Sequence, residues 1–181
     1  GNESVVPVSS GRAQGIELMV QRRSASGIYG IVSITLVNSE FDSGNDKFVA
    51  SSWDNNLFTT ITAGKKWSRN WETGFKWRYV TGRPYTPYDV ATSSIKSNWD
   101  ATGVGILDYS KLNTQRVPDF HQLDVRVDKS WFFNKWSLNL YLDIENLYNF
   151  KSKEPDILFV RTDANGKPVE DPADPTRYKT F

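Results

Sequence analysis

The stretch WSLNLYLDIENLYN, residues 136–149, shows the fold class of the chain most clearly. Up to residue 144 its even-numbered positions are all apolar, namely Trp136, Leu138, Leu140, Leu142 and Ile144. The odd-numbered positions between them are mostly polar. This two-residue period is that of a β-strand with one apolar face, because a helix would distribute the same residues around its axis. The stretch therefore predicts a half-buried strand, whose apolar face meets either a soluble core or the lipid around a membrane barrel.

Five further segments indicate strands. The predicted fold is therefore all-β, an antiparallel up-and-down meander with six main strands of roughly 8–12 residues each, about the length that a tilted membrane strand needs. The five segments span residues 14–21, 28–38, 57–65, 72–79 and 122–128. Alternation is weaker in the third segment, which is rich in Thr and Ala.

Strict alternation also predicts which side chains share a face of the sheet. A one-residue slip in pairing would exchange the two faces, so the register is specified wherever one face is apolar. We expect one face to carry the apolar side chains Phe75, Trp77, Val125, Val127, Leu138, Leu140 and Leu142. We expect the opposite face to carry the charged side chains Arg78, Asp124, Arg126 and Asp143.

The predicted connections alternate in length along the chain. Short turns fall at 24–27, 66–70 and 133–135, whereas long polar loops fall at 39–55 and 82–119. Short turns at one end and long loops at the other are typical of outer-membrane barrels. Loops of this length without regular structure count against a compact soluble domain, although a soluble β-sandwich is the alternative.

Aromatic residues flank two of the short turns, both predicted at the same end of the sheet. They are Trp67, Trp71, Trp131, Phe132, Phe133 and Trp136. Such a group is typical of the aromatic girdle at a membrane–water interface. The alternative is that these side chains cap a soluble core near its turns.

The composition excludes several classes of protein. The 181 residues carry a net charge of +1, which implies no strongly basic surface for nucleic acid. There is no cysteine, so neither a disulfide framework nor a thiolate metal site is expected. No run of 18 apolar residues indicates a transmembrane helix, and the N-terminus does not resemble a signal peptide.

Four short motifs carry a family resemblance. In order they are GRAQGIE at 11–17, TGRPYTP at 81–87, NTQRVPDFHQLD at 113–124 and DIENLYN at 143–149. With these motifs in this order, residues 1–181 resemble the C-terminal part of the barrel of TonB-dependent outer-membrane receptors. The resemblance is greatest to the subgroup of these receptors that has a carboxypeptidase-regulatory-like N-terminal domain.

The resemblance implies a transmembrane barrel of about 22 strands around an N-terminal plug. It implies a place in the outer membrane of a Gram-negative bacterium and import of a scarce nutrient with energy from the TonB complex. The implied partners are outer-membrane lipid, the plug, the remaining barrel strands and TonB. The resemblance implies neither catalysis nor a cofactor, and it makes the loops 39–55 and 82–119 extracellular.

Two departures from the family pattern predict a fragment. The chain contains no plug and no TonB-box segment, and similar proteins follow a segment like 177–181 with one more strand. Phe181 resembles a terminal barrel aromatic, but no alternating strand precedes it. Since six strands cannot close even a barrel of about eight, we expect the isolated chain to self-associate through its edges or its apolar face.

Two sets of residues are candidates for binding. A charge on a lipid-facing surface costs roughly 2–4 kcal/mol near the midplane, so the charged strand residues are predicted to face a hydrated lumen, where they contact a ligand or the plug or pair with each other. This set is Arg78, Asp124, Arg126, Asp128, Asp143 and Glu145. Aromatic side chains on the longest loop either grip a substrate or pack among themselves. This second set is Tyr85, Tyr88, Trp99 and Tyr109.

The single histidine, His121, raises the alternative of an outer-membrane enzyme. Asp119 and Asp124 are close to it in sequence, as in a Ser–His–Asp arrangement. No nucleophile-elbow or zinc motif accompanies it, which favours a residue at the start of a strand. A secreted soluble β-sandwich that acts as a binding module is the other alternative function.

In the C-terminal tail, residues Asp163–Gly166 resemble the beginning of a calcium-binding loop. Lys167 occupies the fifth position, where the EF-hand pattern needs Asp or Asn. We therefore expect a tight turn at Asn165–Gly166 between residues 157–162 and 167–170. The Pro-rich segment 171–175 is expected to resist regular structure.

Overall fold

A computed structural model describes residues 10–24, 26–44 and 47–181. The chain divides into two compact units. The first, here called the sheet unit, contains the described residues up to Arg83 together with Pro118–Lys153. The second, the loop–tail unit, combines Pro84–Val117 with Glu154–Phe181.

Long strands dominate the sheet unit, whereas the loop–tail unit contains short strands and short helices. In chain order the strands are β1 (Gly11–Arg22), β2 (Ile28–Asp42), β3 (Phe48–Ala50), β4 (Leu57–Lys66), β5 (Trp71–Val80), β6 (Pro84–Tyr85), β7 (Gln115–Arg116), β8 (Phe120–Phe132), β9 (Ser137–Ile144), β10 (Glu170–Asp171) and β11 (Asp174–Tyr178). The helices are α1 (Val90–Ser93) and α2 (Lys96–Thr102), and short 3₁₀ turns occupy Ser68–Asn70 and Tyr109–Lys111. In the described part of the chain, no helix has the length and apolar character that crossing a membrane requires.

Six long strands form one antiparallel meander in the sheet unit. Their order is β1-β2-β4-β5-β8-β9, and the short β3 pairs with β2 beside this path. Since each long strand pairs with the next one along the chain, the β1–β2, β4–β5 and β8–β9 connections share one end. The β2–β4 and β5–β8 connections share the other. The predicted all-β meander and its alternating connections are confirmed, although residue 25 of the first turn and residues 45 and 46 of the first long loop lie outside the described residues.

The sheet is open at both edges. Within the described ranges β1 pairs only with β2, and β9 pairs only with β8. Each edge strand therefore presents a row of backbone N–H and C=O groups without a partner strand.

The register of the sheet confirms the predicted faces. Phe75 pairs with Val125, and Val125 pairs with Ile144. Arg126 pairs with Asp143 one position further along β8. Directly paired residues in an antiparallel sheet project to the same side, so the predicted apolar residues share one face and the predicted charged residues share the other. We call these two sides the apolar face and the polar face.

The apolar face extends across the whole sheet and is most exposed on the edge strands. Ile16 on β1 has 73% of its surface accessible, and Leu142 on β9 has 62%. The buried hydrophobic residues of the described chain, Leu158 and Val160, belong to the loop–tail unit instead. The sheet thus presents a continuous apolar surface that the described residues do not bury.

The loop predicted at 39–55 is partly wrong. Strand β2 continues to Asp42, and β3 pairs with it so that Glu40 is opposite Ala50. Asp54 is buried and accepts hydrogen bonds from the backbone N–H of Ser39 at 2.7 Å and from Asn56 Nδ2 at 2.9 Å. These polar contacts order a segment whose three-residue strand is too short to show a period.

The loop predicted at 82–119 is not structureless. It contains β6, α1, α2, a 3₁₀ turn and β7, and it folds together with the tail. Asp89 caps α1, since its carboxylate accepts the backbone N–H of Thr92 at 2.9 Å. Gly103 ends α2 with a φ of 67°, a left-handed conformation that glycine adopts without strain.

The tail confirms one expectation and corrects another. The tight turn is present, because Gly166 has a φ of 79° and its N–H donates to the Asp163 carbonyl at 3.0 Å. The segment 171–175 does not resist regular structure, since Asp171 ends β10 and Pro175 lies inside β11. A two-stranded ribbon leaves one side of each strand without a partner strand, where the missing N–H of a proline is tolerated.

A tyrosine lies across the polar face over two glycines. The Tyr29 hydroxyl on β2 reaches past Gly64 on β4 and donates a hydrogen bond to the Glu72 carboxylate on β5. A Cβ added at Gly64 would overlap the tyrosine ring, whereas one added at Gly74 would lie 4.0 Å from its hydroxyl. Gly64 therefore makes the space that lets Tyr29 join three strands.

We predict that Gly64→Ala lowers the free energy of unfolding of the sheet by about 2 kcal/mol, because the ring must move and its hydrogen bond is lost. Urea titration of the chain in detergent micelles measures this change. Gly74→Ala is the matched control and should cost less than about 0.5 kcal/mol, since its new methyl group meets only ordinary contacts. In a Tyr29→Ala background the Gly64→Ala penalty should shrink to the part that comes from the Thr73 backbone carbonyl, which lies 3.0 Å from the new methyl group. An unchanged penalty there would refute the assigned cause.

Candidate functional site

Arg126 is the centre of the charged cluster on the polar face. Its Nε and Nη2 donate to the two carboxylate oxygens of Asp128, each at 2.8 Å. Its Nη1 is 3.7 Å from a carboxylate oxygen of Asp143 on the neighbouring strand. The guanidinium also lies 4.0 Å from the centroid of the Tyr141 ring. A planar guanidinium suits this combination of a two-point ion pair and a stacked ring, which a lysine would not reproduce.

Asp124 forms a second part of the cluster. Arg78 Nη2 lies 3.4 Å from one of its oxygens, and Gln122 Nε2 donates to the other at 2.6 Å. The backbone N–H of Asn146 donates to that same oxygen at 2.9 Å. Only 14% of the Asp124 side chain is exposed, so these contacts hold an ionised carboxylate in a largely covered position.

The structure brings the six predicted lumen-facing candidates together on one face. Glu145 directly follows β9 and lines the same depression as Asp124, Arg126 and Asp143, with a volume of about 320 Å³. Asp128 and Arg78 join this group through the ion pairs described above. Cation and carboxylate groups alternate across the cluster, which can therefore form directional hydrogen bonds to a polar surface laid against it.

Tyr29 and Glu72 also belong to this surface, of which the sequence pattern predicts Glu72 but not Tyr29. They line an adjoining depression of about 590 Å³ near the short-connection end of the sheet, together with Arg126, Asp128 and Asn139. Glu72 lies an even number of positions before Arg78 along β5, so the alternation of the strand places both side chains on the polar face. Nothing in the local pattern of β2 indicates that Tyr29 crosses to a strand 43 residues away.

The polar face does not assemble a metal site. In the described ranges, no group of three or more His, Cys, Asp or Glu side chains is arranged to hold a metal ion. The carboxylates of Asp124 and Asp128 are instead engaged by guanidinium groups.

The four aromatic loop candidates are dispersed within the loop–tail unit. Tyr85 lies in β6, Trp99 lies in α2, and Tyr88 pairs with Leu107 in an isolated bridge. These three are half-buried, whereas Tyr109 is 71% exposed. No ring contact joins any two of the four in the part of the chain that the structure describes. Tyr109 alone has the exposure that contact with a solute requires.

Polar contacts between the long loop and the tail hold the loop–tail unit together. Arg177 donates from Nη1 to Ser94 Oγ at 2.8 Å, and the backbone N–H of Tyr178 donates to the Ser94 carbonyl at 2.7 Å. Lys96 forms an ion pair with Glu170, 74 residues further along the chain. These residues could not be predicted from the sequence, because their partners are remote and their spacing has no period.

His121 does not lie in a catalytic triad. Its Nδ1 is 2.7 Å from the Tyr148 hydroxyl, and its ring centroid is 4.1 Å from that of Phe150. Asp124, three residues further along β8, projects from the opposite face. Asp119 accepts hydrogen bonds from the Tyr79 hydroxyl at 2.5 Å and from the Gly82 N–H at 2.9 Å. His121 thus packs among aromatic side chains at the end of the sheet that carries the long connections.

Aromatic side chains gather on the apolar face at the short-connection end. Trp71 and Trp131 project there from β5 and β8, and Phe133 stacks on Trp136 at 4.0 Å between centroids. Phe132 departs from this group, since it pairs with Ser137 and therefore projects from the polar face. We call Trp67, Trp71, Trp131, Phe133 and Trp136 the aromatic belt.

The ion pair between Lys96 and Glu170 predicts a pH dependence. The hydrogen bond from Lys96 lowers the pKa of the Glu170 carboxyl below its ordinary value. Because the folded-state pKa is the lower one, the pair stabilises the fold above the unfolded pKa, and this contribution is lost as the pH falls through the folded pKa. NMR titration of the Glu170 carboxyl carbon should give a depressed midpoint that Lys96→Met raises toward the ordinary value.

Lys111→Met provides the control for this titration. Lys111 pairs with Asp108 in the same unit, where hydrogen bonds from Ser110 and then from Lys111 lower the pKa of the Asp108 carboxyl. The variant should raise the Asp108 midpoint and leave that of Glu170 unchanged. An ordinary midpoint for Glu170 in the unaltered chain would show that the pair does not form in solution.

The candidate site of the sheet unit thus consists of a charged polar face and an apolar face with an aromatic belt. The chain matches no protein-family model, no curated protein and no solved structure.

Proposed function

We propose that the chain forms part of the barrel wall of a TonB-dependent active transporter in the outer membrane of a Gram-negative bacterium. In this role the chain contributes no catalysis, and the transporter imports a scarce nutrient with energy from the TonB complex. The observation that carries the proposal is the apolar face, which extends from β1 to β9 and is exposed on both edge strands and half-buried along β4.

Lipid is the solvent that suits such a face. An apolar side chain of the size of Leu or Phe gains roughly 1.5–3 kcal/mol when it leaves water completely. Soluble monomers rarely expose apolar patches above a few hundred Å². Side chains such as Ile16, Leu18, Leu140 and Leu142 are all exposed on this face. Lipid acyl chains would bury them.

The polar face suits a hydrated interior. Arg126, Asp128 and Asp143 form paired charges that a lipid environment would penalise heavily. On the inner side of a barrel wall they would face water or a plug domain, and their alternating charges offer hydrogen bonds to it.

The connections and the edges complete the proposal. Short connections at one end and long ones at the other match the periplasmic and extracellular sides of outer-membrane barrels. The open edges at β1 and β9 are then the places where the remaining barrel strands pair. The family resemblance of the four sequence motifs points to the same class of transporter, with the plug and TonB as partners and no role in binding nucleic acid.

Detergent dependence is the direct test. We predict that the chain sediments in detergent-free buffer as associated species, because its edges and apolar face recruit other copies. In micelles it should be monodisperse and rich in β-structure by circular dichroism. A compact monomer of 20.6 kDa that unfolds cooperatively without detergent would refute the proposal and favour a secreted β-sandwich module.

A pair of neighbouring substitutions tests which face meets lipid. Val32 on the apolar face pairs with Val20 and Ile61, and Ser33 on the polar face pairs with Met19 and Thr60. Both positions therefore have uncharged neighbours across the strands. We predict that Val32→Lys lowers the free energy of unfolding of the chain in phospholipid bilayers by about 2–4 kcal/mol, and that Ser33→Lys changes it by less than about 1 kcal/mol.

Urea titration of the chain in vesicles measures both values. Equal penalties for the two lysines would contradict the assignment of the faces to lipid and water.

A further inference from the structure

Two lysines lie on the apolar face, beside the aromatic belt. Lys65 on β4 pairs with Thr73, and Lys129 on β8 pairs with Trp71. Thr73 and Trp71 have the parity of Phe75, so both lysines project from the apolar face. They are two strands apart, a lateral separation of about 10 Å that two flexible lysine side chains can span.

The belt holds the two ammonium groups close to indole rings. Lys65 Nζ lies 4.0 Å from the Trp67 ring centroid. Lys129 Nζ lies 5.3 Å from the Trp71 centroid and 5.4 Å from that of Trp131, and it donates to the backbone carbonyl of Arg69. The electron-rich ring faces attract the cations without neutralising them.

Neither ammonium group has a carboxylate partner among the described residues. In the described part of the chain, none of the ion pairs includes Lys65 or Lys129. The nearest acidic residues of β5 and β8 are Glu72 and Asp128. They lie directly opposite each other in the sheet and project from the polar face. Two positive charges are therefore left on the apolar side of the sheet with no negative charge from the protein beside them.

We propose that Lys65 and Lys129 bind the phosphate group of an anionic phospholipid at the aromatic belt. This inference rests on the proposed function, because it requires the apolar face to lie in a bilayer. The acyl chains of the bound lipid would continue along Val127 and Leu142, which pair with each other one row further into the sheet. The phosphate would supply the negative charge that the protein does not place there.

An anionic headgroup suits the site better than a zwitterionic one. A choline or ethanolamine headgroup carries a cation beside its phosphate, which two lysines would repel. The belt also separates the headgroup region from the strand interior, since Trp side chains favour the membrane–water interface. Lysines at this level can extend their ammonium groups to the phosphate while their methylene chains remain among apolar side chains.

Tryptophan quenching by brominated lipids tests the inference. The chain is folded into phosphatidylcholine vesicles that contain increasing fractions of either brominated phosphatidylglycerol or brominated phosphatidylcholine, each brominated near the carboxyl end of its acyl chains. We expect phosphatidylglycerol to quench the belt tryptophans with about a fivefold higher relative affinity, since each lysine near a membrane surface strengthens the binding of anionic lipid. Lys65→Gln combined with Lys129→Gln should abolish this preference.

Matched variants separate the site from general charge effects. Lys65→Arg with Lys129→Arg should keep the preference, because the two positive charges stay at the belt. Lys151→Gln with Lys153→Gln removes the same number of charges from the exposed segment after β9, at the other end of the sheet, and should also keep it. Loss of the preference in this second control would refute the site.

The same titration distinguishes the two levels of proposal. Equal quenching of the unaltered chain by the two lipids would overturn the phosphate site while leaving the membrane assignment in place. Absence of quenching by either lipid, in a chain that circular dichroism shows to be β-rich, would overturn the membrane assignment itself. Circular dichroism of each variant confirms that a lost preference does not come from a failure to fold.

Discussion

The register of the strand pairs is the constraint on which the rest of the sheet depends. The pairs from β1–β2 to β8–β9 have continuous registers, so in each long strand every second residue projects to the same face. A slip of one residue in any pair would move an entire strand's apolar side chains among the charges of its neighbour. The separation of Phe75 from Arg126, and of the belt from the polar cluster, follows from this single geometric condition.

The long strands were predictable because each of them repeats one rule many times. Alternation in 136–144 or 72–79 identifies a strand, its faces and its charged residues together. Strand β3 and the end of β2 were missed, since three residues cannot establish a period and hydrogen bonds to Asp54 order that segment. The loop–tail unit was missed for a related reason: its contacts join residues far apart in sequence, and no local pattern records them.

The candidate site shows the same division. Parity predicted the polar cluster around Arg126, and the structure adds how its members pair. The alternation could not show that Tyr29 reaches diagonally over Gly64 to Glu72. That contact is possible because glycine, on the strand between them, has no side chain. The absence of carboxylates beside Lys65 and Lys129 is likewise a property of three neighbouring strands, and no single strand shows it.

The dependence of the long loop on the tail has a consequence for the order of folding. Residues 84–117 pack with residues 154–181, and β8 and β9 lie between these segments in the sequence. The hairpins of the sheet close locally, whereas the loop acquires its partners only after both strands and the intervening segment have been synthesised. High contact order of this kind delays folding, because a large loop must close before its contacts form. During folding, β4 and β5 can therefore pair while the loop that follows them is still unfolded, and packing against the tail is the event that orders the loop.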